Sequence, residues 1–371
     1  MQIALTQKLA TGSGKTLSPA QENVHPLFDW TANWVKVWAN SRTEDMLIVL
    51  NNSTRFVVAI YPIKKKELKQ MDSIIKDAIA NTLLRINVNP ELVTAYMEQI
   101  DSFTYVKNSN RKISGYLTQA ANEVVYEVYD VFDGIKASDH VIDDTVGYRF
   151  NYLVVKGPGG SSNPVCPYET FLAALSSHYG IQAYNYQALE LLVTLDLGIY
   201  QAVRRLIVPA QYTFAQLHDV LQSAFSWKNS HLHDFSFYSK KSAKNKYKRP
   251  DLSLVMPAIY EGYGEVIDKQ QVSDYLSKYK QVYYTYDFGD NWQHEIKLVK
   301  TIENYHQESP YLLEAIGQTP PEDVGGVPGF IEFSQILADS NHPEYQSTEK
   351  WAGYWRPELN DWEKRPRIIR L

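Results

Sequence analysis

The stretch VYYTYDFGDNWQHEIKLV, residues 282–299, alternates apolar and polar side chains on either side of a short turn rich in Asp, Gly and Asn. A period of two is the pattern of a strand with one buried face, and a turn cluster between two such runs marks a hairpin. The expected hairpin pairs residues 282–286 with 292–299 across 287–291. Asp and Asn supply local backbone hydrogen bonds in the turn, and Gly289 supplies a positive φ. Asp287-Phe288-Gly289 also spells a kinase triplet, but the Gly-rich loop, the strand Lys and the His-Arg-Asp loop that give it meaning are missing.

Outward from the hairpin the elements are mixed. Upstream lie a strand at 188–195, a helix capped by Thr213 with Leu217, Val220, Leu221 and Ala224 on one face, and a strand at 234–238. Downstream, residues 330–362 read as short helices broken by Pro. The first half repeats the mixture. NWVKVWA alternates over 33–39, and the apolar runs at 46–50 and 55–61 flank an Asn-Asn-Ser-Thr turn. Residues 67–84 carry Leu68, Met71, Ile75, Ile79 and Leu83 at helical spacing, and Asn89-Pro90-Glu91 opens another helix. A third helix is expected near 114–126, a strand over 148–155, a loop over 157–163, and a helix over 167–179 that stops at Gly180.

A chain of 371 residues suits two domains. The expectation is α+β, with two α+β domains, each a small, mostly antiparallel sheet packed with helices, over residues 1–182 and 183–371. At 44% hydrophobic the chain is too apolar for disorder, and a net charge of −5 gives no global field toward nucleic acid. A single cysteine, Cys166, excludes an intrachain disulfide and a Cys-based zinc site. No apolar run reaches the ~20 residues of a membrane span, and residues 1–15 lack a signal-peptide core, so a cytoplasmic protein is expected.

In the second half RRLIVP (204–209), LHDVLQSAFSW (217–227), HLHDF (231–235), YDFGDNWQHEI (286–296) and PPEDVGG (320–326) occur in order. Together they resemble the plasmid pRiA4b ORF-3-like family, some members of which carry an insertion-element passenger TnpR label. Family members often have Trp where this chain has Val203, and Cys where it has Thr319 or Val324. The first half is similar to a small bacterial family of unknown function through TQKLA (6–10), LFDWTANWVKV (27–37) and NNSTRFVVAIYPIKKKEL (51–68). The resemblance implies a plasmid or mobile-element context. No serine nucleophile within an arginine cluster can be assembled to support the recombinase that the label suggests.

Several motifs carry two readings. TGSGKT (11–16) matches the tail of a phosphate-cradling loop, but Leu9 stands where the first Gly belongs and Pro19 follows where a helix should, so a polar loop is the plainer reading. GPGG (157–160) follows a strand and reads as a plain turn or as a backbone approach to phosphate. Arg204 and Arg205 alternate about a strand, so one faces inward. Either holds a phosphate, as in a pocket for a small phosphorylated ligand, or pairs with Asp287 or Glu322, and a surface or core-edge ion pair is the plainer role.

The candidate polar cluster comprises Arg204, Arg205, His231, His233, Asp287, Asp290, Trp292, His294, Glu322 and Asp323, with Asp234 in the same motifs. His231 and His233 are two apart and would share one face of a strand. With His294 they make a candidate ligand set for a divalent transition metal, since neutral imidazole and carboxylate suit Zn²⁺, Mn²⁺ or Fe²⁺. The plainer alternative is histidines that fix turns by hydrogen bonding. Lys240, Lys241, Lys244, Lys246, Lys248 and Arg249 form a candidate nucleic-acid contact or a solvated loop, and Lys64–Lys66 and Lys364, Arg365, Arg367 and Arg370 are weaker versions. Two functions stand: a non-enzymatic binding or accessory protein that contacts nucleic acid or another protein, and a metal-dependent, hydrolase-like enzyme.

Overall fold

The computed structural model describes residues 1–39, 42–132, 146–158, 160–238, 249–256, 265–267, 269–353, 355 and 365–370. Its contacts separate two compact units, Met1–Asn185 and Tyr186–Leu371.

The first unit runs β1 (Gln2–Leu5), α1 (Gln7–Ser13), β2 (Asp29–Ala39), β3 (Arg42–Asn51), β4 (Val57–Ile60), α2 (Met71–Arg85), α3 (Pro90–Glu98), β5 (Thr104–Lys107), α4 (Arg111–Phe132), β6 (Val155–Gly157), β7 (Gly160–Val165) and α5 (Pro167–Tyr179). The main sheet has the order β4-β3-β2-β1-β5, antiparallel except for β1, which runs parallel to both its neighbours. Leu47, Val49, Val58 and Ile60 pack with α2, α3 and α5, while Ile48, Leu50, Val57 and Ala59 pack with α4. Burial of both faces explains why β3 and β4 read as unbroken apolar runs.

Local signals place the helices. Asn89 Oδ1 accepts from the Glu91 N–H at 3.1 Å, and Pro90 occupies the first turn of α3, as expected. Three local expectations are corrected. Residues 148–152 form a 3₁₀ turn, with only β6 extended beyond it. Gly157 and residues 160–163, expected in a loop, belong to the strands of the β6–β7 hairpin. TGSGKT closes helix α1, with Gly14 in the left-handed conformation and Lys15 paired to Asp72, so its backbone cradles no phosphate.

The second unit runs β8 (Tyr186–Asp196), β9 (Gln201–Pro209), α6 (Phe214–Phe225), β10 (His233–Phe237), β11 (Leu252–Val255), β12 (Glu265–Val266), α7 (Val272–Tyr279), β13 (Gln281–Tyr286), β14 (Trp292–Tyr305), β15 (Tyr311–Ile316), α8 (Gly326–Ala338), α9 (Tyr345–Ala352) and β16 (Arg367–Ile368). Nine described strands join in the order β12-β11-β10-β13-β14-β8-β9-β15-β16. Leu189, Leu191, Val193 and Leu195 point from β8 into a core shared with α6 and with Phe330 and Phe333 of α8. The chain is thus α+β in both units. The expected Thr213 cap is a full capping box: Thr213 Oγ1 accepts from Gln216 N, and Gln216 Oε1 accepts from Thr213 N.

Arg204 on β9 faces this core and is 0% exposed. Its guanidinium donates to the carbonyls of Ala224, Val203, Ile316 and Gly317 and to Thr319 Oγ1, and it lies 4.7 Å above the Phe225 ring. Ala224 lies in the last turn of α6, where unpaired carbonyls favour a cation. Arg205, one residue on, faces the other side and is half-exposed, and it pairs with buried Glu190, which Lys300 also reaches at 3.2 Å. Burial alone would raise the Glu190 carboxyl, but Arg205 and Lys300 outweigh it and hold it below its usual range. Neither arginine is paired with Asp287 or Glu322 among the described ion pairs.

Arg204→Met is expected to cost about 3 kcal/mol or more, because several buried carbonyls lose a charged donor together, whereas Arg205→Gln is expected to cost about 1 kcal/mol. Urea unfolding of the two variants checks the ordering.

Candidate metal centre

The β13–β14 hairpin forms in the expected register, Tyr286 opposite Trp292 and Tyr284 opposite His294. Its turn differs in one respect. Asp287 and Asn291, at φ 56° and 57°, take the left-handed positions, and Gly289 does not. Asp287 can do so because its side chain satisfies the turn: Oδ1 accepts from the N–H groups of Gly289 at 2.9 Å and Asp290 at 3.3 Å.

That leaves Asp287 Oδ2 free to face His231 Nδ1 at 3.6 Å. The other ring nitrogen, Nε2, faces Glu322 Oε2 at 3.5 Å and Asp323 Oδ1 at 3.3 Å. Glu322 repeats the arrangement of Asp287. Its Oε1 accepts from the Lys228 N–H and from the Tyr286 hydroxyl at 3.2 Å, which leaves Oε2 for the histidine. Tyr286 in turn accepts from Ser230 N at 2.9 Å. Burial pushes the Tyr286 hydroxyl up to about 12, helped by Glu322, so it stays a donor at neutral pH. His231, Asp287 and Asp323 each offer a ligand atom within 4.8 Å of the others, and they form the one such group of three found among the described residues.

The Pro-Pro-Glu-Asp segment is held to the hairpin by its neighbours. Asp290 Oδ2 accepts from Gly325 N at 3.2 Å, and Gly326 lies so close that a Cβ there would sit 2.5 Å from the Asp290 carbonyl oxygen. Asp290 is therefore a tether beside the cluster. Asp323, at φ 61°, is 72% exposed in its side chain, so one side of the cluster opens to solvent. A groove of about 560 Å³ runs from it past Val324, Phe333, Ile336, Glu344 and Trp351.

His233 and His294 do not join His231. β10 begins only at His233, so His231 sits in the preceding loop and the period-two relation between them fails. The His233 ring is buried and stacks on His218 with centroids 3.5 Å apart and planes 6° apart. His294 is 0% exposed. Its Nδ1 donates toward the carbonyls of Trp292 and Tyr284, and its ring packs against Phe225. Trp292 is a core residue beside Trp227. Lys240, Lys241, Lys244, Lys246 and Lys248 lie outside the described residues, and Arg249 is exposed.

Sequence reading missed a closed ring of hydrogen bonds. Gln222 Nε2 donates to Tyr284 Oη, and Tyr284 donates to His218 Nδ1. His218 Nε2 donates to Asn229 Oδ1, and Asn229 N donates back to Gln222 Oε1. The available signal was His218 and Gln222, four apart on the apolar face of α6. Burial lowers His218 to about 4, His233 to about 3 (with the neighbouring His218 adding to it) and His294 to about 4. All three are neutral at pH 7. Burial raises the Asp234 carboxyl.

Residues 187–364 match the profile of the plasmid pRiA4b ORF-3-like proteins. Over 169 residues, 44% of this chain and 80% of its relative, the sequence is 40% identical to the uncharacterized protein y4hQ of Sinorhizobium fredii. The chain belongs to the plasmid pRiA4b ORF-3-like family. A crystal structure of a protein of unknown function from Methanosarcina mazei Go1 is 34% identical and aligns with 46% of this chain and 93% of its own, at a TM-score of 0.40. Residues 2–167 match a second profile, a domain of unknown function, DUF6933. Two positions where family members often carry Cys have structural work in this chain: Thr319 accepts from Arg204, and Val324 packs against the core. No helix among the described residues is long and apolar enough to cross a membrane.

The three buried histidines set a pH dependence. Their folded-state values lie below the unfolded value of about 6.5, so the unfolded chain binds more protons once the pH falls below it. Their contribution is complete above pH 6.5 and is lost progressively on acidification toward pH 3–4. Each costs up to about 1.4 kcal/mol per pH unit in that window. The urea midpoint is therefore expected to drop steeply between pH 6.5 and 5. A flat profile would mean that the rings titrate normally.

Proposed function

We propose that the C-terminal unit is a divalent-metal-binding module, and that the chain acts as a metal-dependent binding or accessory protein of plasmid or mobile-element origin. The observation that carries this reading is the division of labour within the carboxylates. Asp287 and Glu322 each commit one oxygen to backbone N–H or hydroxyl donors and turn the other toward His231, Asp287 toward Nδ1 and Glu322 with Asp323 toward Nε2. A cation bound at one ring nitrogen thus leaves the carboxylate across the ring to orient the imidazole. Ligating carboxylates and imidazoles are held in this way by outer hydrogen bonds that fix their direction. A mixed imidazole and carboxylate set suits Mn²⁺, Zn²⁺ or Fe²⁺ better than Ca²⁺, which takes oxygen ligands throughout. When bound, the cation would draw the Pro-Pro-Glu-Asp segment onto the β13–β14 turn and so fix the rim of the groove beside Asp323.

The hydrolytic reading draws on one further observation, the exposure of Asp323. A cation there would keep an open side, and an open metal position supplies Lewis-acid chemistry and a more acidic bound water. Binding is preferred because the buried histidines, which would have completed a catalytic set, are committed to core packing.

Chelator-treated protein is expected to take up about one equivalent of Mn²⁺ or Zn²⁺ per chain, measured by elemental analysis after gel filtration. His231→Ala/Asp323→Ala, both partly or largely exposed, is expected to weaken uptake by about 100-fold or more while leaving the far-UV spectrum unchanged, and Asp290→Ala by about tenfold. Uptake by the double variant equal to the parent's, or none by the parent, would defeat the proposal.

A further inference from the structure

The first unit contains a second cluster of charge, unrelated to the carboxylates. The turn between β3 and β4 is built around Asn51, which is 0% exposed. Its Oδ1 accepts from the N–H groups of Ser53 and Thr54 and from the Thr54 hydroxyl, while its Nδ2 donates to the Pro26 carbonyl. The turn ends at Arg55, which holds φ 68°, a left-handed conformation that non-glycine residues rarely adopt. This backbone delivers the side chain into the fold, where Arg55 is 4% exposed.

Arg55 has fewer bonds than its burial calls for. Nη1 donates to the Asn52 carbonyl at 2.7 Å, and the guanidinium lies 4.3 Å over the Tyr116 ring and interacts with its hydroxyl. Nε is shielded from solvent and has no hydrogen-bond partner. Leaving a buried N–H of a charged group without an acceptor is unfavourable.

The residue lines a cleft of about 560 Å³, a small-molecule size, together with Lys112, Tyr116, Val154, Lys156 and Gly160. No Asp or Glu lines it among the described residues, and neither lysine forms an ion pair there. Three cations therefore converge with no acidic side chain among the lining residues to balance them. Val154, 74% exposed, and the Tyr116 ring give the cleft an apolar wall. Tyr116 is itself fixed by donating its hydroxyl to the Lys156 carbonyl.

We propose that this cleft binds a small phosphomonoester, the phosphoryl group lying between Arg55, Lys112 and Lys156 and the organic part lying against Tyr116 and Val154. A dianion is preferred to a simple carboxylate because three positive charges face it. Guanidinium N–H groups held in one plane suit a tetrahedral oxyanion through paired hydrogen bonds.

Calorimetric titration of the full chain with phenyl phosphate and with inorganic phosphate, at fixed ionic strength, tests this. One site per chain is expected, tighter for phenyl phosphate. Lys112→Ala/Lys156→Ala, both exposed positions, is expected to weaken both ligands about tenfold or more, while Lys64→Ala/Lys65→Ala outside the cleft leaves them unchanged. Arg55→Lys, which keeps the charge but loses the planar donors, is expected to weaken both ligands in the same direction. No saturable heat with either anion, or affinity indifferent to the Lys112/Lys156 pair, would overturn the proposal. Equal affinity for the two probes would overturn the part assigned to the apolar wall.

Discussion

A guanidinium enclosed in a protein core must find an acceptor for nearly every N–H it carries, and Arg204 does so by gathering backbone carbonyls. Those carbonyls come from the end of α6, from β9 itself, and from the end of β15. The charge therefore ties a helix terminus and two strands to one point. Thr319 extends the hold into the segment that goes on to Glu322 and Asp323. The carboxylates thus hang from a frame whose position is set by a cation several residues away. Replacement of Thr319 by a residue without an acceptor would be felt at both places.

The cluster around His231 shows how side chains earn a direction. A lone aspartate on a hairpin turn swings freely, but Asp287 is braced by two turn N–H groups and Glu322 by an N–H and a phenol. Each brace costs an oxygen and fixes the remaining one. Gly326 lets the two segments approach as closely as the braces require. The buried histidines follow a different logic. His218 is satisfied at both nitrogens by its ring of partners, whereas His233 is held mainly by stacking on it, and both are buried.

How much of this was legible in the sequence varies with the range of the forces involved. The 282–299 hairpin, the Thr213 capping box and the Asn89-Pro90 helix start depend on neighbours a few residues away, and their signals are local. The grouping of Asp287 with Glu322 and Asp323 was carried by the ordered motifs but needed the fold to become a geometry. The placing of His231 and His233 on one face failed because a period-two argument holds only inside a strand, and the strand begins two residues too late, at His233. β1, four residues long, and the 3₁₀ turn at 148–152 left no periodic trace to read. Arg55 was invisible as a site residue because nothing in its neighbourhood of sequence reveals that the turn drives it inward.

The order of strands in the second unit bears on how the chain is made. β8 emerges first of its sheet yet lies at the centre, between β9, which follows at once, and β14, so that Leu195 waits for His294 before its second edge is covered. During vectorial synthesis the β8–β9 ribbon must hold its apolar face and an open edge until the β13–β14 hairpin has left the ribosome. Non-local pairing of this kind slows folding. The hairpin thus covers the β8 edge of the ribbon, while the β9 edge waits for β15, and the hairpin's turn brings Asp287 to its place in the step that covers β8.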